Sequence, residues 1–398
     1  MQYPSLLSDL ETEAVVIGGG FTGIFTAYML AKAGIRVVIL ESGRIGGGAS
    51  AFTTAFITQV IDMSLIEMTG LFGAEEAQKI WASGAQAIEM FEEIIKAEQI
   101  ECEFQRCPLY LYSTNHRALA NFKAENALAQ AFGFKTRVSN DGALGFANKG
   151  YLEIPVQAKF HPIKFIEALA VKAQALGVQI FEGSEVIEIS GDKLEVRTAT
   201  VQVIAKDIIV ATHSPIVRPK ILASQKAKYK SYVIEASIPK GVLPEAMFVD
   251  SKNPYHYVRV DARDKYDRLI VGGSDHRQDF PVNEKRCYKA LERYISTLIP
   301  GTPFTVRRQW SGPLIESVDG LPYIGEYAPN RFVATGFSGN GMTYSLISAQ
   351  IFRDRILGQK NQFAGLYDPK RKQTWKQILT NARHYIGLFL GGAVKNTL

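Results

Sequence analysis

Residues 13–23 read EAVVIGGGFTG, and no other segment restricts the fold of this chain as tightly. Glu13–Ile17 has the unbroken apolar character of a buried parallel strand and ends in three glycines. Phe21–Ala33 follows with helical periodicity and stops at Gly34. Arg36–Leu40 (RVVIL) is the next buried strand. Strand, helix and strand joined by a right-handed crossover make a parallel sheet. Gly18, Gly20 and Gly23 hold the spacing GxGxxG. Gly18 permits the tight turn out of the strand, Gly20 lets a pyrophosphate approach the backbone, and Gly23 lets the helix pack close to the sheet. The helix then offers free N–H groups and the positive end of its dipole to phosphates. Glu41 closes the second strand about twenty residues on, where an acid binds a ribose hydroxyl. Together these parts point to a dinucleotide site. An acid at position 41 with no basic cluster beside it argues against a 2′-phosphate.

The chain has 398 residues, more than one hydrophobic core usually serves, so two domains are expected. The formal charge of +6 comes from scattered Lys and Arg rather than a stripe, so no nucleic-acid surface is expected. Cys102, Cys107 and Cys287 make no disulfide framework and no CxxC, which fits inert thiols in a reducing compartment. Met1–Glu13 lacks the apolar core of a signal peptide, and no run reaches the length of a membrane span; a cytoplasmic location is the expectation. The apolar stretch Tyr385–Val394 follows the basic segment Lys370–Lys376. It reads either as a C-terminal helix docked on the core or as a contact with a membrane surface. Six scattered histidines show no metal-ligand spacing, and HExxH, GxSxG and Walker patterns are absent, so no metal site is expected.

Helices are predicted over Ala74–Lys96, Asn115–Phe132, His161–Leu176, Pro281–Ile299 and Thr343–Leu357. Strands are predicted over Glu101–Ser113, Val178–Phe181, Glu185–Ile189, Asp207–Ala211, Lys228–Pro239, Tyr255–Val260, Arg268–Val271 and Phe332–Ala334, with a hairpin at Leu194–Val203. No repeat and no low-complexity linker separates them, so the chain weaves between its two domains.

A second glycine-rich segment, Ser42–Ser50 (SGRIGGGAS), runs into Phe52-Thr53-Thr54-Ala55-Phe56. Two such loops so close together fit backbone wrapped around a large cofactor, or else a flexible surface loop. With Ala14–Gly23 and Glu41, the loop Gly46–Thr54, the stretch Phe160–Ile189, Val210-Ala211-Thr212-His213, Gln309-Trp310-Ser311-Gly312, Asp319–Gly325 and Ala334–Ser345, the chain resembles the D-amino-acid-oxidase-like FAD-dependent oxidoreductases. That superfamily includes glycine, sarcosine and γ-glutamylputrescine oxidases. The runs Thr53-Thr54-Ala55, VATHSP, YHYVR at Tyr255–Arg259 and GGSDHR at Gly272–Arg277 resemble a branch that often carries a C-terminal Rieske domain. The paired Cys and His ligands of such a domain are missing here.

The resemblance implies an α/β fold: a Rossmann-like FAD-binding domain interwoven with an α+β substrate domain on a mostly antiparallel sheet. The expected division is 1–75, 150–225 and 310–398 for the cofactor, and 76–149 and 226–309 for the substrate. It also implies a flavin whose pyrimidine ring lies against Gly336–Met342 (GFSGNGM). A glycine-rich turn feeding a helix aims N–H groups at the flavin N1–C2=O locus, which gains negative charge on reduction. Gly339, Asn340, Gly341 and Met342 are expected there. Val186 is expected to contact the adenine side through its backbone, and Ser50, Thr53 and Thr54 to lie along the diphosphate and the isoalloxazine. Phe21, Thr22, Ser42, Gly48, Ala49, Ala211, Thr212, Gly312, Gly336 and Thr343 complete the expected cofactor set. Some relatives attach the flavin to a cysteine, but Pro313–Gly320 has none, so non-covalent FAD is expected. Glycine oxidases place an Arg shortly after the Trp-Ser/Ala-Gly motif to hold a carboxylate; here the stretch is Gly312-Pro313-Leu314-Ile315. That puts a bidentate clamp on a simple amino acid in doubt.

Tyr255, His256, Tyr257, Arg259, His276, Arg277 and Tyr344 are the candidates for substrate contact, each against a duller reading as a half-buried packing residue. Strand alternation separates Tyr255 and Tyr257 from His256. The expected activity is oxidation of a C–N bond of a small amine or amino acid, by hydride transfer to flavin N5 and hydrolysis of the imine. Oxygen or another acceptor would take the electrons. Three alternatives stand beside it: a dehydrogenase feeding a membrane quinone or partner protein, a tRNA-modifying oxidase, and a flavin-holding module without turnover.

Overall fold

The computed structural model describes residues 2–190, 194–215, 226–252, 254–278, 282–372, 374 and 377. The stretch Tyr385–Val394 lies outside them, as do parts of Lys370–Lys376 and the first residue of the predicted helix Pro281–Ile299. Among the described residues, the strands form three sheets. The first runs in the order Tyr323–Ala328, Arg331–Thr335, Asp207–Val210, Ala14–Ile17, Val37–Leu40, Gln179–Phe181. Its inner pairs are all parallel, and Tyr323–Ala328 is the antiparallel edge. Ala14–Ile17 and Val37–Leu40 are buried at every position, as a sheet covered on both faces requires. On one face lie the helices Phe21–Lys32, Pro162–Ala175 and Gly341–Ile356, whose side chains share one core with helix Ala74–Glu98. Phe25, Phe91, Phe160 and Phe165 meet there, with ring centroids 5.0–5.5 Å apart. On the other face a small four-stranded sheet (Leu10–Glu11, Gln202–Ile204, Glu195–Arg197, Glu188–Ile189) packs Val196 and Val203 against Val15 and Val38.

The third sheet has nine strands. Its order is Thr305–Ser317, Lys226–Ile238, Asp267–Arg277, Tyr257–Asp261, Met247–Asp250, Gln105–Ser113, Gly150–Lys159, Phe56–Ile57, with Arg137–Ser139 also on Gly150–Lys159. Its pairs are antiparallel except Met247–Asp250 with Gln105–Ser113. One end of one face is covered by helix Glu284–Leu298, which buries Cys287, Leu291, Ile295 and Leu298 against Tyr232, Ile234, Ala236 and Val258. The other face looks back toward the glycine-rich end of the first sheet. The α/β class with a mostly antiparallel second sheet is therefore as expected.

The predicted helices and most strands agree with the structure within a few residues. Two long strands are absent from the expected set: the thirteen-residue Thr305–Ser317 and the ten-residue Gly150–Lys159, which carries Pro155. The left-handed Val156 (φ 61°) breaks the alternation in Gly150–Lys159. Both strands belong to the nine-stranded sheet; Gly150–Lys159 begins the segment 150–225 expected for the cofactor, and Thr305–Ser317 crosses the expected boundary at 310. Glu185–Ile189 is strand only at Glu188–Ile189. In the basic segment near the C-terminus, Arg371 turns inward: its guanidinium grips Asp319 at 2.7 and 2.8 Å and lies 4.2 Å from the Tyr323 ring. Among the described residues no helix is long and apolar enough to cross a membrane.

Candidate functional site

Between the two large sheets runs a cavity of about 1170 Å³, more than a single small-molecule pocket usually encloses. One end is the glycine turn. Gly18 has φ 107°, and a Cβ there would stand 2.6 Å from the carbonyl oxygen of Ala211; one at Gly23 would stand 1.9 Å from the carbonyl oxygen of Gly18. Both positions therefore exclude any side chain. Gly20 opens onto the cavity, with the Ser50 hydroxyl 3.0 Å from its would-be Cβ and bonded to Phe21 N–H at 3.1 Å. As helix N-cap, Gly20 offers no side-chain acceptor of its own, so the positive end of the helix faces the cavity. Glu41 accepts from Gly19 N–H at 2.6 Å and Gly43 N–H at 2.7 Å, which fixes its carboxylate at the rim. Val186 lines the same end.

The opposite end is the turn into helix Gly341–Ile356. Gly336, Gly339, Asn340, Gly341 and Met342 line the cavity, and this second helix N-terminus also lacks a side-chain cap. The Asn340 side chain points away from its own helix and donates to Val60 O at 2.7 Å. Thr343 likewise donates to Thr58 O at 2.8 Å and does not line the cavity. The middle is walled by Ser42, Gly48, Ala49, Ser50, Thr53, Thr54, Ala211, Thr212 and Gly312. A long cavity with a bare helix N-terminus at each end, an acid at one rim and glycines where backbone must approach fits an extended dinucleotide. The three cysteines are buried and none lines it.

The floor comes from the nine-stranded sheet. At alternate positions Tyr229, Ser231 and Val233 face the cavity, whereas Tyr232 and Ile234 face the helix side. Tyr255 and Tyr257 both line the cavity, with ring centroids 6.2 Å apart, and Phe56 stands edge-on to Tyr257 at 6.0 Å. His256 takes the other side: its Nδ1 lies 3.0 Å from Asp250 and its ring stacks on Tyr294 at 4.0 Å.

Three further candidates, Arg259, Tyr344 and His276, fall elsewhere, and Arg277 does not line the cavity either. Arg259 continues the parity of Tyr255 and Tyr257 but lies behind the loop, 3% exposed. Its guanidinium donates to Thr54 O (2.8 Å), Phe160 O (2.9 Å) and Asp261 (2.8 Å). It fixes the loop, including the left-handed Ala55 (φ 57°), and contacts no cavity. Tyr344 packs between Phe337 and Tyr367. His276 stacks on Tyr232 at 5.5 Å, on the helix side of the sheet. The cause is a bulge. Tyr229 pairs with Arg277 and Lys230 with His276, but Tyr232 pairs with Gly273, so two residues, Ser274 and Asp275, oppose Ser231. Ser274 has φ 57°. The extra residue inverts the alternation and turns Asp275 into the cavity.

Sequence reasoning missed three acids. Asp62 accepts from the Tyr255 hydroxyl at 3.2 Å and from Gly339 N–H at 3.1 Å. Asp275 and Glu316 line the same region. Burial and the neighbouring carboxylates push Asp275 up to about 7 and Glu316 up to about 8. Asp275 stood in the GGSDHR run and Glu316 directly after the stretch read for a missing Arg. Nothing in their spacing along the chain marks their meeting.

The family model described as FAD dependent oxidoreductase (DAO) matches residues 13–355. The chain is 29% identical over 377 residues to YhfW of Bacillus subtilis, a protein named for a Rieske 2Fe-2S iron-sulfur centre, covering 93% of this chain and 73% of that one. It is 24% identical over 387 residues to the gamma-glutamylputrescine oxidoreductase of Escherichia coli, covering 91% and 87%. Its fold superposes on glycine oxidase from Geobacillus kaustophilus with a TM-score of 0.78 at 20% identity, covering 92% and 100%.

Proposed function

Because this chain belongs to the DAO family of FAD-dependent oxidoreductases, we propose that it oxidises a C–N bond of a small amine or amino acid. The observation that carries the proposal is one cavity reaching from a dinucleotide turn to an aromatic floor. Bound FAD supplies a two-electron acceptor for the carbon–hydrogen bond beside nitrogen, and water hydrolyses the imine. When FAD is bound, the helix N-terminus at Gly20–Thr22 would hold the diphosphate and Glu41 a ribose hydroxyl. Gly339–Met342 would offer backbone N–H groups and a helix dipole to the pyrimidine end, where negative charge develops. Ser50, Thr53 and Thr54 would border the cofactor, with Arg259 holding the carbonyl of Thr54 from behind. Tyr255, Tyr257 and Phe56 confine the substrate and exclude water, which favours the neutral form of the reacting amine. No cysteine borders the cavity, so the flavin is held without a covalent bond.

The test is anaerobic. Holoenzyme is mixed with a panel of amines and amino acids, and the oxidised flavin absorbance is followed. Bleaching supports the proposal; a flavin that dithionite bleaches and no amine does would overturn it. Oxygen uptake after bleaching then separates an oxidase from a dehydrogenase.

A further inference from the structure

The region of the cavity next to Tyr255 and Tyr257 holds three carboxylates brought from distant parts of the chain. Asp62 comes from the loop after Phe56–Ile57, Asp275 from the bulge in Asp267–Arg277, and Glu316 from the edge strand, two positions beyond Leu314 on the same face. All three line the same stretch of the cavity, and the charge of Asp62 acts on Asp275, and those of Asp62 and Asp275 on Glu316. Asp275 Oδ1 is buried and has no hydrogen-bond partner. Among the described residues, the basic side chains lining the cavity are His213 and Lys252, and Lys252 leans over the Tyr294 ring at 5.5 Å. Arg259, the nearest guanidinium on the Tyr257 strand, is turned to backbone carbonyls. A buried cluster of acids is costly unless a cation completes it. A carboxylate placed there would add to the repulsion.

We infer that the substrate is a diamine or polyamine. One amino group is oxidised, and a second, protonated one is held by Asp62, Asp275 and Glu316. This rests on the reading of the site as an amine oxidoreductase and narrows it: a free α-amino acid, with its carboxylate, is the wrong charge for the pocket. The second ammonium stays charged because the acids ionise as it binds, and the aromatic wall keeps the reacting nitrogen apart from it.

Three compounds with the same carbon chain test the inference: 1,4-diaminobutane, 1-aminobutane and 4-aminobutanoate. Each is mixed anaerobically with holoenzyme, and the dissociation constant is taken separately from the limiting rate of flavin bleaching. The diamine is expected to bind about 10-fold or more tighter than the monoamine, which is 1.4 kcal/mol, and 4-aminobutanoate to bind most weakly. Glu316→Gln, and separately Asp275→Asn, should shrink the diamine-to-monoamine ratio while flavin content stays at the wild-type level. Equal binding of diamine and monoamine, tighter binding of the carboxylated compound, or a ratio unchanged in both variants would overturn the inference and leave the oxidoreductase reading intact. If none of the three bleaches the flavin but a simple amino acid does, the inference likewise falls alone. If no amine of any kind bleaches it, both fall.

Discussion

Gly23→Ala is the sharpest test of how the cofactor end is built. A methyl at that position would sit 1.9 Å from the carbonyl oxygen of Gly18 and 3.3 Å from Val16 Cγ1. Ordinary contact begins at 3.4 Å, so the helix must move off the strand by about 1.5 Å, and interiors packed to crystal density do not absorb that locally. Neither partner can rotate away: the obstructing atom is main chain, in the turn set by Gly18 at φ 107°. Helix residues 21–30 are all buried, so the shift would disturb the whole three-helix face. Overpacking typically costs about 1–3 kcal/mol, and a main-chain clash belongs at the top of that range. A loss of about 3 kcal/mol lowers the melting temperature by about 4 °C in a chain of this size. The same movement withdraws the helix N-terminus from the diphosphate, so the variant should purify with at least about 10-fold less flavin per protein, the equivalent of losing one charge-assisted contact of about 1.4 kcal/mol. The readouts are the flavin-to-protein absorbance ratio and a thermal melt. Gly70→Ala is the control: its Cβ meets nothing within 4 Å, and the helix position gains up to about 1 kcal/mol. A Gly23→Ala protein as yellow and as stable as wild type would refute the account of the turn.

Arg259→Met should destabilise the protein by about 3–5 kcal/mol, because Lys159, Asp261 and Arg268 would keep a buried network missing one member; flavin retention should fall with it, and Arg259→Lys should not restore the three-way grip on Thr54 and Phe160 carbonyls. His276→Ala should change flavin bleaching by less than about 2-fold, since a ring stacked on Tyr232 on the helix side faces away from the cavity; a large loss in stopped-flow bleaching would contradict its placement. Asp275 and Glu316 titrate above their ordinary 3.8 and 4.5, so the folded state holds these protons more tightly than the unfolded one. The stability they lend is full below about pH 4 and is lost as pH rises through about 7 and 8, by at most about 5 kcal/mol per group. Denaturant melts of flavin-free Glu316→Gln should therefore gain on wild type at pH 9 and not at pH 5.

The dinucleotide half of the molecule was legible from sequence because its signals are local. A β-branched run, three glycines at fixed spacing and an acid at the end of the next strand each act within a few residues of one another. The second helix N-terminus at Gly339–Met342 was legible for the same reason. The floor of the cavity was not. Tyr255 and Tyr257 could be paired by alternation, but alternation alone would also have put Arg259 in the site, and what removes it is the loop carbonyls of Thr54 and Ala55 arriving from two hundred residues away. Asp62, Asp275 and Glu316 sit on a loop and two strands whose meeting is decided by sheet order. The strand Gly150–Lys159 was hidden by a proline and a left-handed valine, features that mark a strand interior as irregular without excluding it.

One extra residue decides what the floor presents. Were the strand Asp267–Arg277 to pair without interruption past Gly273, Asp275 would fall opposite Lys230, turned to the helix side, and His276 opposite Tyr229, turned into the chamber. A chain lacking Ser274 would instead keep both side chains where they are, because Asp275 would then pair with Ser231 and His276 still with Lys230. Among homologous chains, an alignment that sets a gap after position 275 rather than before it would therefore pair residues on opposite faces of the sheet.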